Sequence, residues 1–92
     1  MPLTKQQLYE LNTEVQLGQR ISALVNDEII QKHLNGLLHG YQNMWLDELD
    51  PSVRNQLWLE AHALTTLIES LRSVINSGIM AAQQLELNQN AQ

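Results

Sequence analysis

The chain has 92 residues, of which 43% are hydrophobic and 16% charged, a balance too apolar for a disordered segment and sized for one small domain. Ten carboxylates stand against five cations with no cysteine, for a net charge of −5. That excludes disulfides and thiolate metal sites, and it argues against bulk attraction to a nucleic-acid backbone. Phenylalanine is absent and two Trp and two Tyr are the only aromatics, so any core is aliphatic. A chain this short buries only roughly 60 to 65% of its unfolded surface, which favours self-association as a stabiliser. No stretch approaches 18 uncharged apolar residues and the first turns lack a basic start followed by an apolar run. Neither a membrane span nor an export signal is therefore expected.

The first predicted helix covers about residues 4–25. Thr4 is a suitable N-cap; Leu8, Leu11 and Val15 share one face, and Leu17, Ile21 and Leu24 continue an adjoining one. Gly18 interrupts this pattern and costs about 1 kcal/mol in a helix interior, so it marks a bend or a close approach. Asn26 or Asp27 can cap a second helix over 28–46, whose stripe is Ile30, Leu34, Leu37, Tyr41 and Met44 or Trp45, widened by Ile29, Leu38 and Leu46.

Asp47, Glu48 and Asp50 then form an acidic turn, and Asp50 before Pro51 has the order of an N-cap and a first-turn proline. The third helix is expected over 51–77, with Gly78 as a left-handed cap and Ile79 folding back. Met80, Leu85 and Leu87 add at most a weak turn, and 88–92 are a frayed polar tail to a single domain spanning 1–87. At about 1.5 Å per residue the third helix exceeds the width of a compact globule of this length.

Its apolar residues Leu57, Ala61, Leu64, Ile68, Leu71 and Ile75 alternate steps of four and three, a 3.5-residue period typical of a coiled-coil seam, with Leu67 and Val74 on a flank. The expectation is an all-α fold. Helices two and three form an antiparallel hairpin, helix one covers part of its groove, and the long helix joins copies into a homo-oligomer. Leu57, Leu64, Leu67, Ile68, Leu71, Val74 and Ile75 are the expected oligomer or partner interface. Gly36 and Gly40 have the spacing that lets helix backbones approach; they either admit a bulky neighbour such as Trp58 or mark an inter-chain crossing.

His33, His39 and His62 lack the i, i+3 or i, i+4 spacing of helix-borne metal ligands, so no metal or other cofactor is expected. The acids of the turn serve capping and solubility better than paired acid–base catalysis, and no phosphate loop or nucleophile triad is visible. An enzyme is not expected. Tyr41, Trp45 and Trp58 gather near the closed end of the hairpin, either as a plug or as an exposed hot spot. Arg54 sits against the dipole of its own helix, which calls for a partner such as Asp50, Asp47 or an acid of another chain, while Arg72 has Glu69 three residues before it for a surface pair.

Tyr41 and Trp45 ahead of the acidic turn, then Arg54, Leu57 and Trp58, then Gly78 and Ala81, resemble a pattern of small helical proteins encoded by tailed bacteriophages. The likeness covers about 18–85, with Ile79 where a basic residue is usual. It implies a helical hairpin in a phage setting, in the host bacterial cytoplasm or the virion, and no assigned activity. Two functions are carried forward. One is an interaction or structural protein that binds itself and a protein partner; the other is a sponge for a host signalling nucleotide at a subunit interface, with Arg54, Arg20, Tyr9, Tyr41 and Trp58 as contacts and Trp45 beside them.

Overall fold

The computed structural model describes residues 2–90. Its elements are three α-helices, α1 (Lys5–Val25), α2 (Glu28–Asp47) and α3 (Pro51–Asn90). Each start is written in a side chain. Thr4 and Gln7 cap α1 reciprocally: Gln7 N donates to Thr4 Oγ1 at 3.1 Å and Thr4 N donates to Gln7 Oε1 at 2.9 Å. Asp27 Oδ1 accepts from Ile29 N and Ile30 N at the head of α2. Asp50 Oδ1 accepts from Ser52 N beside Pro51, whose missing N–H is no loss in a first turn.

The end of α3 differs from expectation. The helix runs through Gly78 to Asn90, and no described residue, Gly78 included, has a positive φ. After Gly78 the residues Met80, Ala81, Ala82, Gln83, Gln84, Leu85, Glu86 and Leu87 are all good helix formers, so nothing local stops the helix once the glycine is needed for another purpose. Helix thus replaces the weak turn and also takes in 88–90 of the expected frayed tail; 91 and 92 lie outside the described residues.

The chain divides into two compact units. One combines the N-terminal stretch to Leu24 with the chain from Leu71 onward, so α1 packs antiparallel on the second half of α3. Helix one was expected on the groove of the hairpin; it is held instead by small residues of α3 that accept close contact. At one end Leu3 N donates to Asn88 Oδ1 at 3.3 Å. Leu8, Leu11, Val15, Gly18 and Ser22 turn inward on α1, and Val74, Gly78, Ala81, Leu85 and Asn88 on α3. The backbones nearly touch where the glycines cross. A Cβ on Gly78 would stand 3.0 Å from Glu14 O and 3.1 Å from Gly18 Cα, and one on Gly18 would stand 3.1 Å from Gly78 Cα.

The other unit spans Val25–Ser70 and sets α2 against the first half of α3. The three residues 48–50 join them, so the pair is antiparallel. Leu34, Leu38, Tyr41 and Trp45 meet Arg54, Leu57, Ala61, Leu64 and Ile68, each row at the expected three-and-four spacing. All of these are half-buried and none is buried.

Ala81 is the one hydrophobic side chain that is buried among the described residues. The chain leaves 7296 Å² exposed at a mass of 10.5 kDa, whereas a folded monomer of that mass exposes about 5,400 Å². Large apolar side chains such as Leu37, Met44, Leu67 and Met80 account for part of the difference.

Candidate interaction site

In the Val25–Ser70 unit, α2 supplies Leu38, Tyr41, Gln42, Trp45 and Leu46, and α3 supplies Leu57, Trp58, Ala61, His62 and Thr65, to one open groove of about 560 Å³. Trp45 is half-buried beneath the Arg54 guanidinium, whose carbon lies 4.1 Å from the ring centroid. That cation–π contact contributes about 0.5–1 kcal/mol at a site still open to water. It also answers what holds Arg54: an aromatic face, with Asp50 contributing only its backbone carbonyl to Arg54 N.

Trp58 stacks on His62 with centroids 4.9 Å apart and planes 5° from parallel, and 52% of its surface stays exposed. It is therefore no plug between the helices. The stack was missed by reading the two residues separately, although their i, i+4 spacing places them on one helix face. Thr65 donates its hydroxyl to Ala61 O at 3.0 Å, which leaves the groove floor mainly apolar.

Tyr41, Trp45 and Trp58 are thus brought together, with Arg54 on the Trp45 ring. Arg20 and Tyr9 are exposed side chains of α1, in the other unit, and line no part of the groove. The Arg72–Glu69 pair does not form; the one ion pair among the described residues joins Lys32 to Glu28 at 3.9 Å. Charge is also uneven. Asp27, Glu28, Asp47, Glu48, Asp50, Glu60 and Glu69 face only Lys32 and Arg54 in this unit, so it holds the whole net charge of −5.

Comparison with protein-family models, curated proteins and solved structures finds no match to this chain. The site is therefore described by its own chemistry. Among the described residues no group of three or more His, Asp or Glu could hold a metal ion, and no helix is long and apolar enough to cross a membrane.

Of the expected interface residues, Leu57, Leu64, Ile68, Leu71, Val74 and Ile75 are half-buried within their own units, while Leu67 is half exposed. Val74 borders a small cleft with Glu14 and Leu17, and Ile75 lies beside Gly18 and Ser22. Gly36 and Gly40 admit no bulky neighbour. A Cβ at either would meet nothing within 4 Å, so the reading that they make room for Trp58 fails.

Proposed function

We propose that the chain is a non-enzymatic interaction protein that works by self-association and by holding a protein partner. One observation carries this: among the described residues Ala81 is the one buried hydrophobic side chain, while Tyr9, Leu37, Met44, Trp58, Leu67 and Met80 stay 41 to 70% exposed, which is apolar area in need of cover. The aromatic groove supplies what partner hot spots use, namely Trp, Tyr and Arg side by side. A tailed-phage setting is an implication of the residue pattern alone, and the proposal does not depend on it. Sedimentation velocity from sub-micromolar to high micromolar concentration is expected to show an oligomer that dissociates with loss of helix on dilution. A monomer with full helical content throughout that range overturns the proposal.

The nucleotide sponge draws on the same groove, since stacked rings beside an arginine suit a purine or pyrimidine. Charge weighs against it. A phosphate approaching this unit meets seven carboxylates and two cations, and Arg20 belongs to the other unit. Titration calorimetry with cyclic oligonucleotides is expected to give no heat; a saturable 1:1 isotherm per chain reverses the order of the two readings.

A further inference from the structure

We infer that the aromatic groove of the Val25–Ser70 unit takes a basic amphipathic helix of another protein, with its apolar stripe between α2 and α3 and its lysines or arginines beside the carboxylates of the connecting turn. The inference names the partner of the groove and rests on the interaction reading above.

The groove is bounded by Leu38 to Leu46 on α2 and by Leu57 to Thr65 on α3. Each wall is therefore about 13 Å long at about 1.5 Å per residue. An apolar furrow between two antiparallel helices is a bed for a third helix of about two to three turns. An extended peptide draws its affinity from main-chain hydrogen bonds to a sheet edge, and two α-helices offer none. A small molecule needs a site that encloses most of its surface, and this groove is open along its length.

No lining residue is a carboxylate, a lysine or an arginine, so the groove itself receives apolar side chains. Trp58 is the largest anchor, with half its surface in water and its ring stacked on His62. Tyr41 adds a second aromatic face, and such faces also attract a lysine or arginine that passes over them.

Charge identifies the occupant. At the closed end of the groove Asp47 follows Leu46, and Glu48 and Asp50 complete a turn of three carboxylates. Glu48 Oε1 accepts from Asp50 N and Asp50 Oδ1 from Ser52 N, bonds that orient these groups and leave them charged. Asp47 is exposed, and α2 has no basic residue in its last turn to answer the negative end of its dipole. The two cations of the unit are engaged elsewhere, Lys32 with Glu28 and Arg54 on the Trp45 ring. A phosphate backbone or an anionic bilayer would bring like charge to a unit of net charge −5, and a basic helix brings the opposite sign. The chain itself has no such helix. Lys5 and Arg20 of α1 are matched by Glu10 and Glu14, and α2 and α3 are each net negative, so the complement comes from another protein.

The test uses the full chain and a labelled peptide of about 14 residues, with leucines at i, i+3, i+4 and i+7 spacing and lysines elsewhere. Its rival has the same leucines with glutamates for lysines, and a third peptide has the basic composition with the leucines scattered. Fluorescence anisotropy is expected to show saturable binding of the first peptide, about tenfold tighter than either of the others and weakened by salt. Trp58→Ala is expected to weaken it about tenfold, and Asp47→Asn about threefold. Equal or tighter binding of the acidic peptide overturns the basic partner and leaves the groove a protein site. Equal binding of the scattered peptide, which needs no variant to fold, or undiminished binding to Trp58→Ala, means attraction to an acidic surface alone and overturns the groove as the seat. No binding of any peptide overturns the inference, while the self-association reading is decided separately by sedimentation.

Discussion

Between Val74 and Asn88, α3 meets α1 through Gly78 and Ala81; between Arg54 and Ile68 it meets α2 through leucines, an arginine over a tryptophan, and one alanine. The two contacts share a seam spacing and differ in what fills it. Small residues let the α1 and α3 backbones approach until a methyl group would collide, which gives a specific register but little apolar area. Large residues give α2 and α3 apolar area without closure, so the rings and leucines stay half-exposed. Charge divides in the same way. Glu10, Glu14 and Glu86 are balanced by Lys5, Arg20 and Arg72 in the first unit, and the second carries the full acidic excess. A close crossing fixes geometry and an open one offers a surface, which is why the second unit is the better place to look for a partner.

The largest way to break this contrast is at the glycine crossing. Gly78→Ala adds a methyl 3.0 Å from Glu14 O and 3.1 Å from Gly18 Cα, both backbone atoms that cannot swing aside. Alanine would gain about 1 kcal/mol of helix propensity. Overpacking against backbone outweighs that, and a net loss of about 2 kcal/mol is expected in urea unfolding followed by far-UV dichroism at fixed protein concentration. A gain in stability would mean that the helices part easily there and that the crossing does not set the register.

That crossing also shows what was legible beforehand. The helix starts at Thr4, Asp27 and Asp50–Pro51 could be read because each is decided within one turn, by a side chain and the N–H groups beside it. Gly78 could not. Its local context, a glycine followed by Ile79, suits a helix end, whereas its role is set by Glu14 and Gly18 on another helix. Gly18 was read as a bend or a close approach, and the second holds, but nothing in the chain names its partner in advance.

At the groove, the grouping of Tyr41, Trp45 and Trp58 followed from folding α2 back on α3. The partner of Arg54 did not follow, because an argument from the helix dipole looks for acids and overlooks rings. Arg20 shows the limit of reading cations as one set: it belongs to the other unit.

The second test sharpens the open side of the contrast. Trp45→Ala removes the ring beneath Arg54 and opens the floor of the groove, at an expected cost of about 1–2 kcal/mol for a half-buried aromatic with its cation contact. Trp58→Ala, with half its surface already in water, is expected to cost less than half as much in the same urea titration. Equal losses would mean that Trp58 is covered in solution, and the groove would then be an occupied interface.

The smallest expected effect has the opposite sign. Gly36 lies on the outer face of α2, away from the α3 seam, and a Cβ there meets nothing within 4 Å. Gly36→Ala then brings only the propensity gain of a helix interior, about 0.5–1 kcal/mol of added stability, read as a higher urea midpoint. The same chemical change is thus expected to harm at Gly78 and help at Gly36, because the first glycine is demanded by a neighbouring backbone and the second is not. A loss of stability at Gly36 would place another helix against the back of α2, and the outer face of this unit would then be covered in solution.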